Sequence, residues 1–353
     1  MNKNEIIAAR REVLNRLLPD GVDGYGFAEC PGIRLHTAKN NPRDFRVFGI
    51  EGKTPRGSCF HSNCREKVED FNDRLTTELV LANAHFWPWE DEEGGGTGVK
   101  RRRRVPADPE AIQRVREESA PEVTLDWLKS CSPVPLKGMT GHKFLEQLYP
   151  EPEDRILVFK DEATQGQLVW SGQTDPSWEE SFKHNPKGTW FMVQPVTGQF
   201  TALARLRAPF NPTGRTRRAA ECVTSFRYLV LESDNVDQDS WVKVLASLPM
   251  PIVSVTGSGS RSLHALIWVG ARNQQEWEKY RYDIEGAVST LGCDPAALKA
   301  VQLSRLPCCF RHGKYNKSSD TFELFADGPH MQELFYLNPN ARGTATLWEQ
   351  HKQ

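Results

Sequence analysis

Residues 226–314 decide the fold, in three pieces: FRYLVLESD at 226–234, PIVSVTGSGSRSLHALIWV at 251–269 and LGCDPAALKAVQLSRLPCCFRHGK at 291–314. Residues 227–231 are a short apolar run with the length of a buried strand, ending in Glu232 and Asp234. Strand side chains alternate faces, so both carboxylates are expected on one face at the strand end. The next segment, DQDSWVKVLASL, opens on an Asp or Ser cap and spaces Trp241, Leu245 and Leu248 helically, with Pro249 and Pro251 as its stop. The β-branched run 252–256 predicts a strand, GSGSR a turn, and 262–269 a second strand. Along the latter, Ser262, His264, Leu266 and Trp268 share one face and Leu263, Ala265, Ile267 and Val269 the other. A helix with Trp277, Tyr280, Ile284, Val288 and Leu291 at three- and four-residue steps stops at Gly292, and residues 321–325 supply a last strand. The order β-α-β-β-α-β predicts an α+β protein with a ferredoxin-like or RRM-like catalytic core. That architecture hosts many functions, so function has to come from the site.

Two carboxylates at a strand end, with a histidine on the neighbouring strand, form a set of hard donors. Mg²⁺ usually takes one or two carboxylates together with substrate phosphates, and paired ions about 3.5–4 Å apart serve both the attacking and the leaving oxygen of a phosphoryl transfer. A protonatable His264 with Arg305, Arg311 and Lys314 would hold phosphates. The plainer reading is a solvated strand end beside an ordinary core histidine.

On these residues the chain resembles the archaeo-eukaryotic primase superfamily, in the primase-polymerase branch carried by phages and plasmids. Glu232-Ser233-Asp234 is similar to the family's acidic pair, and Ser262-Leu263-His264 to its Ser-x-His after a Gly/Ser turn. Asp294 is similar to its later metal-binding carboxylate, and Arg305-Leu306-Pro307, followed by Arg311 and Lys314, to its Arg-Leu-Pro element. The resemblance covers about residues 190–339. It departs twice: the pair commonly begins with Asp, here Glu232, and the glycine usual after Arg-Leu-Pro is replaced by Cys308-Cys309. Asp283, Glu285 and Asp320 are rivals for the third carboxylate.

The resemblance implies a DNA primase or primase-polymerase, a nucleotidyltransferase in which Glu232, Asp234 and Asp294 hold Mg²⁺ or Mn²⁺. Ser262 and His264 would contact the triphosphate, and Arg305, Arg311 and Lys314 would support it or the template. The implied partners are a single-stranded DNA template and nucleoside triphosphates, with a separate helicase as a further partner it allows. Two readings from other classes stay open: a non-catalytic replication-initiation or single-stranded DNA-binding module, and a metal-dependent nuclease, which two-metal carboxylate sites also serve.

Residues 1–18 read as an amphipathic helix. Beyond it, CPGIRLHT gives Cys30 and His36, and CFHSNC gives Cys59 and Cys64, with short strands at 45–50 and 58–60. Thiolates and imidazoles on short turns are the ligands of tetrahedral Zn²⁺, and His61 can replace one of the four. A small, polar segment of this kind needs such a staple to fold. The arrangement resembles the Cys-His-Cys-Cys zinc domain that precedes many bacterial and phage primase cores, where it helps template recognition and initiation. A purely structural zinc ribbon is the other reading.

A chain of 353 residues predicts two or three domains. We divide it into a helix plus zinc-binding domain at 1–89, a linker at 90–110 and a catalytic domain at 111–353. The linker, EDEEGGGTGVKRRRRVPADPE, joins an acidic run, a glycine run and the basic block 100–104. It is expected to uncouple the two domains, so that losing the zinc ligands damages the first more than the second. His85, Phe86, Trp87 and Trp89 precede it; aromatics beside charge can stack bases, but packing on the neighbouring domain is the expectation. Residues 111–148 read as helical, 155–159 and 166–170 as strands, and 188–192 with 198–201 as a strand pair. Arg205, Arg207, Arg215, Arg217 and Arg218 mark a loop that either contacts phosphate or is merely solvated. Net charge is −1, so nucleic-acid binding has to use such local patches. No run of 18 apolar residues and no signal-like leader are visible, which predicts a cytoplasmic protein with no membrane partner. Its eight cysteines then serve as metal ligands or free thiols. No GxxxxGK[ST] phosphate loop is present.

Overall fold

A computed structural model describes residues 3–24, 26–36, 44–51, 55–59, 61–84, 106–161, 166–170, 177–202, 215–316 and 321–351. Most of the expected linker, the aromatic group from His85 to Trp89, Arg205, Arg207 and Asp320 lie outside these residues.

The chain begins with α1 (Lys3–Leu17), β1 (Phe27–Ala28), β2 (Phe45–Phe48), β3 (Arg56–Cys59) and α2 (Arg65–Leu81). Its middle holds α3 (Pro109–Glu118), α4 (Leu125–Cys131), α5 (Gly141–Leu148), β4 (Arg155–Phe159), β5 (Gln167–Trp170), α6 (Ser177–Lys183), β6 (His184–Asn185), β7 (Trp190–Met192), β8 (Thr201–Ala202) and β9 (Arg215–Thr216). The decisive region follows as β10 (Phe226–Glu232), α7 (Gln238–Ser247), β11 (Ile252–Gly257), β12 (Leu263–Ala271) and α8 (Gln274–Thr290). The remainder is β13 (Leu303–Arg305), β14 (Phe310–Arg311), β15 (Gly313–Asn316), β16 (Thr321–Leu324), β17 (His330–Met331), β18 (Leu334–Leu337) and α9 (Leu347–His351). The class is mixed α+β with several small sheets.

Both faces of the central sheet are buried, which is why its strands read as nearly continuous apolar runs. Leu229 and Leu231 of β10, with Leu263, Ala265 and Ile267 of β12, face a helical layer built on Trp241, Leu245, Trp277 and Val288. Tyr228, Val230 and Leu266 face the opposite way, into a core shared with Phe144, Ile156, Val158 and Phe191. That second core joins the central sheet to a four-stranded sheet in the order β13-β7-β4-β5. Two buried groups bind the layers at the start of β10. Arg227 forms a two-bond ion pair with Asp154, and Gln194 accepts from Arg227 N at 2.8 Å and donates to Tyr228 O at 2.5 Å.

The central sheet runs β10-β12-β11-β18, antiparallel throughout. The first three strands and α7 form the expected β-α-β-β unit. The fourth corrects the sequence reading. Residues 321–325 do not join this sheet: among the described residues β16 pairs with β15 alone, in a separate exposed hairpin. The fourth strand is β18, and it lies beside β11, whereas a ferredoxin-like fold sets its last strand beside the first. Ser132 fixes β18 from outside, exchanging hydrogen bonds with the N–H and C=O of Leu337. The expected pair 188–192 with 198–201 is also not formed, because β7 sits between β13 and β4 while β8 pairs with β9.

The amino-terminal unit is a three-stranded antiparallel sheet, β1-β2-β3, that shares one core with α1 and α2, the two helices packing on each other. It is not set apart from the rest. Helix α2 lies against α8, Val80 enters the helical-layer core, and Thr77 and Thr290 share a hydroxyl–hydroxyl hydrogen bond. Glu78, 5% exposed, is gripped by Arg16 of α1 and Arg114 of α3. The units therefore meet through helices whatever the linker does, against the expectation that they are uncoupled. No helix among the described residues is long and apolar enough to cross a membrane.

Candidate active site

The acidic end of β10 is built by strand register. Glu232 lies directly opposite His264 on β12. The pleat turns both side chains to the face of Val230 and Leu266, and His264 Nε2 is 3.3 Å from Glu232 Oε1. Asp234 lies just beyond the strand end and accepts a hydrogen bond from Ser262 Oγ at 3.1 Å. The two Ser-x-His side chains thus each meet one member of the acidic pair.

Asp294 arrives by a helix stop. Gly292 takes a φ of +94°, and a Cβ there would come within 2.3 Å of Val236. The reversal brings Asp294 N to Glu232 O at 2.7 Å. Ser233, between the acidic pair and only 2% exposed, fastens the turn by donating to Gly292 O at 2.6 Å. The sequence reading missed Ser233, because a serine between two carboxylates has no periodic signature. Its one signal was a small side chain pointing to the face opposite the carboxylates.

Among the described residues, the carboxylates of Glu232, Asp234 and Asp294 are not one of the groups whose ligand atoms all lie within 4.8 Å of one another. Each is turned to a protein donor instead: Glu232 to His264, Asp234 to Ser262 and Asp294 to the N–H of Ala296. Like charges separate when such donors are at hand. Of the rivals, Glu285 is bound to Arg281 along the surface of α8.

His264 is 4% exposed, and its Nδ1 is buried without a hydrogen-bond partner. Burial, then the guanidinium groups of Arg305 and Arg311, lower its pKa to about 3. Its buried ring therefore favours the neutral imidazole, which can still donate or accept a hydrogen bond. The positive charge comes from the two arginines. Arg305 on β13 donates to Lys187 O and lies 4.0 Å over the Trp190 ring, and Arg311 on β14 donates to Gly313 O. Gly188 makes room for both, since a Cβ there would meet Arg305 at 2.8 Å and Arg311 at 3.3 Å. Lys314 sits apart, exposed on the β15-β16 hairpin opposite Glu323.

The Arg-Leu-Pro loop is held by Gln332, fully buried and not foreseen, which bonds both backbone groups of Thr189 and the carbonyl of Leu306. Cys308 adopts a φ of +63°, the left-handed region in which glycine is unstrained. A cleft of about 720 Å³ lies beside this loop, lined by Lys129, Met139, Glu179, Lys183, Cys308 and Met331 among others. None of the acidic-site residues lines it.

In the amino-terminal unit, the ligand atoms of Cys30, His36, Cys59 and Cys64 all lie within 4.8 Å of one another. His36 Nε2 is 3.5 Å and His61 Nδ1 3.6 Å from Cys59 Sγ, and the two imidazoles stack at 4.0 Å. His36, Asp44 and His61 form a second, overlapping group. Burial raises the Cys30 thiol well above its ordinary range and raises that of Cys64 as well. Three sulfurs and an imidazole crowded in this way form a donor set that can hold a metal ion, which would displace the thiol protons. All eight cysteines are free of disulfides.

Of the expected nucleic-acid contacts, Arg215 and Arg217 reach the Phe200 ring, at 5.8 and 4.6 Å from its centroid. Arg218 turns inward, donating to Val301 O and lying over Phe159.

No protein-family model matches the chain, and no curated protein matches it. Among solved structures it is similar to the AEP domain of the cyanophage S-2L primase-polymerase (PrimPol). Identity is 11%, coverage is 57% of this chain and 90% of that one, and the TM-score is 0.33.

Proposed function

We propose that the protein is a template-directed nucleotidyltransferase, a DNA primase or primase-polymerase. The observation that supports this reading is the placement of Glu232, Asp234 and Asp294 around one strand end, near the guanidinium groups of Arg305 and Arg311. Carboxylate oxygens are hard donors and suit Mg²⁺ or Mn²⁺. Bound there, divalent ions supply the positive charge that eases deprotonation of a 3′-hydroxyl and departure of pyrophosphate. The chain's own residues do the rest. His264 and Ser262 orient the Glu232 and Asp234 carboxylates and border the path of the triphosphate. Arg305 and Arg311 neutralise the triphosphate, and Lys314 is assigned to the template or its approach. The soft Cys/His set suits Zn²⁺, held by Cys30, His36, Cys59 and Cys64. Residues 1–89, 90–110 and 111–353 are then zinc unit, linker and catalytic unit.

The test is incorporation of labelled nucleotides on a single-stranded template in Mg²⁺ or Mn²⁺. Template-dependent synthesis supports the proposal. Binding without synthesis would leave a non-catalytic DNA-binding module, and metal-dependent shortening of the template would make the site a nuclease.

A further inference from the structure

The β8-β9 ribbon has one buried and one open face. Thr201 pairs with Thr216 and Ala202 with Arg215. Continuing that register by one residue sets Phe200 opposite Arg217 and diagonal to Arg215, on one face. The cation–ring distances of 4.6 and 5.8 Å agree. Thr216, on the other face, is 4% exposed, and Arg218 anchors the following segment through Val301. Phe200 is 43% exposed. The ribbon is thus fastened by its inner face, and packing does not require a large aromatic on the outer one. Arg217 also has its Nε buried without a hydrogen-bond partner while its NH2 group donates to Gly166 O.

We infer that Phe200, flanked by Arg215 and Arg217, is a base-stacking platform for single-stranded DNA. A single strand offers a flat, weakly hydrated base beside a phosphate, and an exposed ring edged by guanidinium groups answers both. A duplex hides its base faces, and an acidic peptide would engage the arginines without using the ring. The inference rests on the proposed function for the identity of the ligand and goes further by naming where the strand is held.

The experiment measures binding of the full chain, by fluorescence anisotropy, to a labelled oligodeoxythymidylate and to an abasic oligomer of equal length and charge. Wild type is expected to favour the base-bearing strand about ten-fold, the lower part of the range for one stacked base. Phe200→Ala should remove that preference with an unchanged salt slope, and Phe200→Trp should keep it. Arg215→Ala should keep the preference and reduce the salt slope by about one contact. A preference that survives Phe200→Ala, with melting temperature unchanged, overturns the platform and leaves the proposed function standing. Failure of wild type to bind either oligomer at low salt overturns both.

Discussion

At residue scale, Cys308 shows how one position stores strain. A β-carbon in the left-handed region costs roughly 1–2 kcal/mol, and Cys308 sits there at the bend after Arg305-Leu306-Pro307. Cys308→Gly should raise unfolding free energy by about 1 kcal/mol in chemical denaturation; a loss of that size would mean that the side chain's contacts outweigh the strain. The resemblance had drawn attention to a missing glycine here, and the backbone shows why glycine suits the place. On the proposed function, Asp234→Ala should abolish metal-dependent nucleotide incorporation while leaving the melting temperature near wild type. Primer extension at near wild-type rate by that variant would remove the site assignment. The facing of Glu232 and His264 is readable because a two-residue period fixes which strand side chains share a face, whereas Asp234 and Ser262 lie just outside β10 and β12. Ser233 and Gln332 are not readable, since their role is to satisfy backbone carbonyls distant in sequence, and nothing local encodes such a partner.

At the scale of elements, α7 depends on its first turn. Asp237 caps it by accepting from Ser240 N at 2.9 Å, and that bond lowers the carboxyl pKa. Asp237→Ala should cost about 1 kcal/mol. The sign with pH follows from a depressed folded-state value. The unfolded chain takes up the proton first as pH falls, so the contribution is full above the ordinary aspartate range and fades below it. Asp237→Asn, which keeps an acceptor, should flatten this part of the acid limb; an unchanged limb in urea titrations from pH 6 to pH 3 would contradict the assignment. The β-α-β-β run and both helices were readable because buried strands and capped helices leave strong periodic marks. The fourth strand was not. TFEL at 321–324 and LFYL at 334–337 both suit a strand, and what separates them is burial against β11 and the hydroxyl of Ser132, both tertiary facts.

At the scale of the whole molecule, the helical contact between the two units changes what metal loss should do. The linker composition led to the expectation of independent units, but Val80, Thr77 and Glu78 of α2 are built into the second. On the proposed function, replacing Cys59 and Cys64 together by Ser should therefore abolish metal retention and lower the melting temperature of the entire chain in one cooperative transition. An unaltered transition for the carboxy-terminal unit would show that α2 holds its place without the metal. Glu78→Ala, which leaves Arg16 and Arg114 without their shared carboxylate, should cost about 1–2 kcal/mol. That single carboxylate has a geometric consequence as well. Because arginines from both sides close on it, α1 and α3 are tied to α2 through one side chain. A reversal of charge at that one position, Glu78→Lys, would therefore set the two arginines against the joint between the units at once.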